Sequence, residues 1–272
     1  MVVSSSSEQN PRLRARAAVH AALGDPYRLA IVEALARSDR SPSELADHLG
    51  IQSNLLAHHV KVLEDVRLVE RVVSGGDRRR RYLRLRATEI QPFVVPEPYH
   101  ACNVVFVCTH NSARSQLAAA LWNQRHAVPA VSAGTQPAEG VHPRAVEAGA
   151  RAGLDLRAAR PRSIDDLDVD PDLVITVCDR AHEELAASSG NILHWSVPDP
   201  ARDGRRTVFD ATVRRLTERI AVLAPTVFPA CRQRTRRARS ALRSQVFSGG
   251  LPIANGATVA RSNKEKRHAR PG

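Results

Sequence analysis

The stretch Val104-Val-Phe-Val-Cys108-Thr-His-Asn-Ser-Ala-Arg-Ser115 is an apolar run that ends at a cysteine, with an arginine six positions further on. The helix-compatible Gln116-Leu-Ala-Ala-Ala-Leu-Trp122 follows. A strand that ends at a cysteine and passes through a short polar loop into a helix N-terminus builds an anion trap. Backbone N–H groups converge on a tetrahedral oxyanion, and the same positive field favours the thiolate beside it. Arg114 adds a planar fork that holds two oxyanion oxygens at once. Cys-x5-Arg spacing alone is common by chance. Between a strand and a helix, with Ser115 after the arginine, it marks a cysteine-nucleophile site.

From Cys102 onward the pattern alternates. Short apolar runs at 104–107, 130–132, 173–177 and 192–195 are separated by helical stretches at 115–122, 143–152 and 181–187, and an amphipathic helix spans 207–223. This alternation predicts a parallel sheet with right-handed crossovers. Ser132-Ala-Gly-Thr135 reads as a tight turn after the second strand, and Trp195-Ser-Val-Pro-Asp199-Pro200 as an exposed loop after the fourth.

Before Cys102 the style is different. Asp25-Pro26 is a helix start signal, and Ser41-Pro-Ser-Glu44 is a capping box opening a short helix that stops at Gly50. A longer helix spans 53–65. Leu68 to Val73, a Ser74-Gly-Gly-Asp77 turn and Arg78 to Leu85 then read as a β-hairpin. Prolines 92, 96 and 98 mark a linker. The expected organisation is a disordered N-terminus at 1–10, a mainly helical domain at 11–90, a linker at 91–101, an α/β domain at 102–226 and a disordered basic tail at 227–272.

The net charge of +12 is unevenly spread. Basic residues exceed acidic ones by five in residues 11–90 and by ten in residues 231–272, while residues 101–230 carry one excess acid. The total by itself therefore decides nothing about nucleic acid. No run of about 18 apolar residues occurs, so no membrane span is expected. The four cysteines, at 102, 108, 178 and 231, are too few and too scattered for a disulfide framework and fit a reducing cytoplasm.

The tract Leu23 to Ala36, with Ser43-Glu-Leu-Ala-Asp-His-Leu-Gly50 and His58-His-Val-Lys-Val-Leu-Glu-Asp65, resembles the ArsR-type winged helix-turn-helix repressors over about residues 15–86. The resemblance implies that helix 53–65 is the recognition helix, with Gln52, Ser53, Asn54, Ala57, His58 and Lys61 facing DNA. It makes the hairpin tip the wing, with Arg78, Arg79, Arg80 and Arg81 on phosphates. It also implies a homodimer on a palindromic operator. Metal-sensing relatives often carry paired cysteines near the short helix, whereas this domain has none, which excludes thiolate sensing there. Its histidines read as core or surface residues, so no metal site is assigned.

The Cys108 loop, the Ser-Ala-Gly-Thr string and the Asp-Pro, in that order, resemble the low-molecular-weight protein tyrosine phosphatases and the arsenate reductases sharing their fold, over about residues 102–224. The resemblance implies a three-layer α/β domain with a four-stranded parallel sheet. It makes Cys108 the nucleophile on phosphorus or arsenic, Arg114 the oxyanion and transition-state ligand, and Asp199 the acid that protonates the leaving oxygen. Thr109, His110, Asn111, Ser112, Ala113 and Ser115 form and support the oxyanion loop. Asn111 tolerates left-handed backbone there, and Ser115 hydrogen-bonds the thiolate.

Gln116 after Ser115, and the absence of a tyrosine after Asp199-Pro200, incline the resemblance toward the reductases. Cys178 matches their second cysteine as a resolving or a structural thiol. The third position of the relay holds Leu185, so a full internal relay is not expected. Electrons would then come from a small thiol or a redoxin, with no bound cofactor. Cys102 is assigned to packing. The leading expectation is an ArsR-type regulator fused to an arsenate reductase, in the cytoplasm. A phosphatase joined to a DNA-binding domain, and a regulator that senses arsenate or phosphate without catalysis, are the alternatives.

Overall fold

The computed structural model describes residues 11–86, 98–168, 171–185 and 191–230. The expected N-terminal segment 1–10, most of the linker and the tail from Cys231 lie outside the described residues.

Four helices open the chain: α1 (Pro11–Leu23), α2 (Pro26–Arg37), α3 (Pro42–Leu49) and α4 (Ser53–Asp65). The start signals act as the sequence predicts. The Asp25 side chain accepts from the Arg28 N–H and caps α2, and Ser41 and Glu44 form a reciprocal capping box on α3. Gly50 ends α3 at φ +63°, a left-handed position that suits glycine. The hairpin pairs β1 (Val69–Val73) with β2 (Arg81–Leu85) antiparallel, Val69 opposite Leu85. The second strand begins later than expected, so Arg78–Arg80 belong to the connecting loop. Ile31, Leu35, Leu45, Leu56, Leu63 and Leu83 form the core under these elements.

The second domain is built on a four-stranded parallel sheet, β5-β4-β6-β7, from β4 (Val104–Cys108), β5 (Ala130–Gly134), β6 (Leu173–Thr176) and β7 (Ile192–His194). The chain enters at β4, in the middle of the sheet, and returns to both sides. Cys108 therefore ends an inner strand, at the point where the strand order reverses and open parallel sheets leave a crevice. Helices α5 (Arg114–Asn123), α6 (Pro143–Arg151) and α9 (Arg206–Leu223) pack on one another, and α7 (Asp179–Leu185) packs against β4 and β6. Phe106, Trp122, Trp195 and Phe209 fill the core. The one-turn α8 (Pro200–Asp203) follows Asp199.

Three expectations are corrected here. Ser132-Ala-Gly-Thr135 is not a turn after the strand: its first three residues are the end of β5, with Gly134 opposite Cys108. Tyr99–Ala101, read as linker, is a strand (β3) that pairs in parallel with β8 (Val227–Pro229), read as tail. Both segments are too short for a period-two pattern to reveal them. Cys102 next to this pair is exposed rather than packed, with its Sγ against the Ala230 carbonyl.

The two domains meet around Asp39, a residue with no solvent access to its side chain. Its carboxylate takes Arg84 of β2 at 3.2 Å, Arg219 of α9 and the Ser196 N–H at 2.8 Å. Burial alone would raise the Asp39 carboxyl, but the Arg219 and Arg84 guanidiniums outweigh it and hold the group below its usual range. The Asp39 N–H donates to the His194 carbonyl, and Trp195 Nε1 donates to the Arg37 carbonyl.

Candidate active site

Strand β4 carries Cys108 to the C-terminal end of the sheet, and the chain then turns through Thr109–Ala113 into α5. Asn111 sits at φ +48° in this turn, the left-handed conformation expected of the loop. Its side chain, fully buried, works in two directions. Asn111 Nδ2 donates to Ser115 Oγ at 2.8 Å, and Oδ1 accepts from Gln116 Nε2 at 3.1 Å and from the Arg162 N–H at 3.0 Å. Ser115 Oγ in turn lies 3.1 Å from Cys108 Sγ. The asparagine donates to the serine oxygen, which leaves the serine hydroxyl hydrogen free to point at sulfur.

The loop is also laced to the segment that follows β5. The N–H groups of Thr135, Gln136, Ala138 and His142 donate to the carbonyls of Cys108, Thr109, His110 and Ser112. These bonds commit the loop carbonyls to the segment 135–142. A Cβ added at Gly134 would meet the Thr109 carbonyl oxygen at 2.7 Å and the Asn111 Cβ at 3.0 Å. The glycine is there for close approach and not for an unusual backbone angle.

Arg114, the first residue of α5, is buried to 8% exposure. Its Nη1 donates to the Val197 carbonyl at 3.1 Å, and Nη2 pairs with Asp199 Oδ2 at 3.1 Å. Asp199 also caps α8 through the Ala201 N–H at 3.1 Å. Cys178 closes the other side. Its Sγ accepts from the Thr109 N–H at 3.3 Å and from the Ala181 N–H at 3.4 Å, and lies 3.4 Å from Thr109 Oγ1. Burial pushes the Cys178 thiol up, and the Cys108 group adds to that while Arg114 opposes it.

The sequence-derived residues thus divide as follows. Cys108, Thr109, Asn111, Ala113, Arg114 and Ser115 are buried in one loop and helix start, Ser112 is half-buried, and His110 is exposed with Nδ1 3.1 Å from the Gln136 carbonyl. Asp199 and Cys178 come to the same site from 85 and 69 residues away. Sequence reading missed the props. Gln116 Nε2 bonds Asn111 and the Arg160 carbonyl, and Arg162 bonds Asn111 through its backbone. Nothing in the pattern around 160–162 marks a role some 50 residues before it.

In the first domain, Gln52, Ser53, Asn54, Ala57 and His58 are exposed at the start of α4, while Leu56, Val60 and Leu63 face the core. Lys61 is exposed and pairs with Asp65. Arg78–Arg81 are exposed in and beside the hairpin loop. No group of His, Cys, Asp and Glu suited to hold a metal ion occurs among the described residues. No helix among them is long and apolar enough to cross a membrane.

The low molecular weight phosphotyrosine protein phosphatase family matches residues 103–233, and a helix-turn-helix domain family matches residues 23–72. The chain is similar to the arsenate reductase of Halalkalibacterium halodurans, 35% identical over 124 residues that make up 43% of this chain and 88% of that protein. It is 30% identical over 134 residues to the arsenate reductase of Oceanobacillus iheyensis, covering 45% of this chain and 95% of that protein. Among solved structures, the arsenate reductase from Archaeoglobus fulgidus is 31% identical with a TM-score of 0.39, covering 45% of this chain and 98% of that one.

Proposed function

The chain belongs, through residues 103–233, to the low molecular weight phosphotyrosine protein phosphatase family, and we propose that it is an ArsR-type DNA-binding regulator whose catalytic domain reduces arsenate at Cys108. The observation that carries this reading is the placement of a second thiol, Cys178, against the Thr109 N–H and hydroxyl of the loop that holds Cys108. Hydrolysis needs only the first thiol, whereas a two-electron reduction needs a second thiol to attack it, and Cys178 is placed to supply it.

In this reading the Cys108 thiolate attacks arsenic while Arg114 and the loop amides hold the oxyanion oxygens. Asp199 gives its proton to the departing oxygen, which leaves as water, and a Cys108–S–As(V) adduct remains. Cys178 then loses its proton and attacks Cys108 Sγ. The S–As bond breaks, its electron pair stays on arsenic, and arsenite leaves with a Cys108–Cys178 disulfide behind it. A small thiol or a redoxin restores the two thiols by exchange. Ser115, with its hydroxyl 3.1 Å from the Cys108 sulfur, holds the nucleophile in place by a hydrogen bond.

DNA binding rests on the helix-turn-helix match and on the exposed polar start of α4. We place α4 in the major groove and the hairpin loop on phosphates, in a homodimer on a palindromic operator. The regulator and the enzyme would then meet the same oxyanion chemistry in one chain.

The test is turnover of arsenate with thiol and redoxin donors, in parallel with hydrolysis of an aryl phosphate, by wild type, Cys108→Ser and Cys178→Ser. Arsenate reduction is expected in wild type alone. Aryl phosphate hydrolysis that survives in Cys178→Ser, with no arsenate reduction in any form, would make the protein a phosphatase. Neither activity in the folded wild type would leave a binding-only sensor.

A further inference from the structure

The loop between β1 and β2 does not project freely. Its tip, Ser74-Gly-Gly-Asp77, lies on the catalytic domain and is held there mainly through its backbone. The Gly75 N–H donates to Asp179 Oδ2, and the Asp77 N–H donates to Glu183 Oε2 at 3.0 Å. Ser74 Oγ donates to Glu183 Oε1 at 2.6 Å. From the other side Arg202 Nη2 donates to the Gly75 carbonyl at 3.1 Å.

Gly76 shows how close the approach is. A Cβ there would meet the Arg180 Cα at 3.0 Å and its backbone nitrogen at 3.1 Å. Its backbone is not left-handed, so the turn itself does not demand glycine. The contact with α7 does.

Two N–H groups and a hydroxyl converging on anionic oxygens form the donor set that a DNA phosphate would use, because phosphate contacts are made by backbone N–H and Ser hydroxyl groups as well as by basic side chains. Here two carboxylates take those donors. The Asp179 carboxyl is in the charged form this needs: burial would raise it, but the His194 ring at 3.0 Å and the Gly75 N–H hold it below its ordinary range. Arg78–Arg81 on the same loop remain exposed, so the loop keeps the cations that draw it to DNA while its tip is engaged elsewhere.

We propose that Asp179 and Glu183 act as an internal mimic of DNA phosphate that holds the wing on the catalytic domain, so that DNA and this contact compete for the same wing-tip donors. The proposal rests on the DNA-binding reading of the first domain and adds to it a mechanism of restraint. The elements that hold the tip also begin at the active site: α7 follows Cys178 directly, and α8, which carries Arg202, is capped by Asp199. Cys178 and Asp199 thus each lie within one helical turn of a group that holds the wing.

The experiment uses the full chain and two variants that release the tip by different means. Glu183→Ala removes the carboxylate while keeping a strong helix former in α7, and Gly76→Ala drives the backbones apart without changing any charge. Amide hydrogen exchange across residues 74–77 is measured in protein alone, and affinity for a mixed-sequence DNA duplex is measured at low salt. Faster exchange and DNA binding about 5- to 20-fold tighter are expected in each variant that folds. Exchange unchanged in both would show that the tip is not held by these groups. Faster exchange with measurable but unchanged or weaker DNA binding would overturn the competition. Faster exchange with no DNA binding by any form would overturn it differently, by removing the DNA-binding reading on which it stands.

Discussion

Arg114 and Asp199 face each other at 3.1 Å, so the guanidinium assigned to the oxyanion is already paired with the carboxylate assigned to the leaving group. The two groups are 85 residues apart in the chain and meet because α5 begins where the loop after β7 ends. In the proposed reaction an oxyanion entering the loop displaces Asp199 from this fork, and the released carboxyl takes up the proton that it gives to the departing oxygen.

Asp199→Asn tests that exchange. Asparagine caps a helix as well as aspartate, so α8 and the fold should persist. Turnover is expected to fall about 10²- to 10⁴-fold, while inhibition by inorganic phosphate stays the same or tightens because Arg114 is released. Unchanged turnover would reduce Asp199 to a helix cap.

Gly134→Ala probes the lacing of the loop. The added methyl cannot fit 2.7 Å from the Thr109 carbonyl, so the loop must shift. A loss of about 1–3 kcal/mol in stability is expected, with turnover falling more than tenfold, as a melting curve and kcat would show. Normal turnover would mean that the loop geometry tolerates displacement.

The domain interface should weaken in acid. Burial depresses His194, so its neutral form contributes stability that is complete above the unfolded value near 6.5 and is lost as pH falls through the folded one. Glu44 follows at lower pH. Burial would raise it, but His182 and the Ser41 N–H hold it at about 2, so its contribution is complete above 4.5 and disappears toward 2. Urea midpoints should therefore decline from pH 7.5 to pH 5 and further to pH 3.5. His194→Gln should remove the first decline. A flat midpoint between pH 7.5 and 5 would contradict the assignment.

Binding to DNA should separate phosphate from base contacts. Alanine at Arg78–Arg81 is expected to weaken binding to every sequence and to flatten its salt dependence by up to about four contacts' worth. Asn54→Ala or His58→Ala should instead relax the preference for the operator over mixed-sequence DNA. Equal effects of both sets on all sequences would argue against α4 as the reading helix.

Much of this protein is written locally. The caps at Asp25 and Ser41, the stop at Gly50, the hairpin and the strand–loop–helix around Cys108 each depend on residues within a few positions of one another, and the chain alone predicts them. The order Cys108, Ser132-Ala-Gly-Thr135, Asp199 is enough to indicate the α/β domain, because those motifs lie at or after the ends of β4, β5 and β7.

Tertiary structure decided what depends on convergence. Ser132-Ala-Gly looks like a turn until β5 pairs with β4, and the three-residue strands β3 and β8 exist only because they find each other. The props of Asn111 come from residues 116, 160 and 162, and the burial of Asp39 from Arg84, Arg219 and Ser196. Gly76 reads as an ordinary hairpin glycine until α7 lies against it. Local backbone preference and hydrophobic period are properties of neighbours in sequence. Buried charge pairs, close approaches and shared hydrogen-bond donors are properties of neighbours in space, which only the packed chain creates.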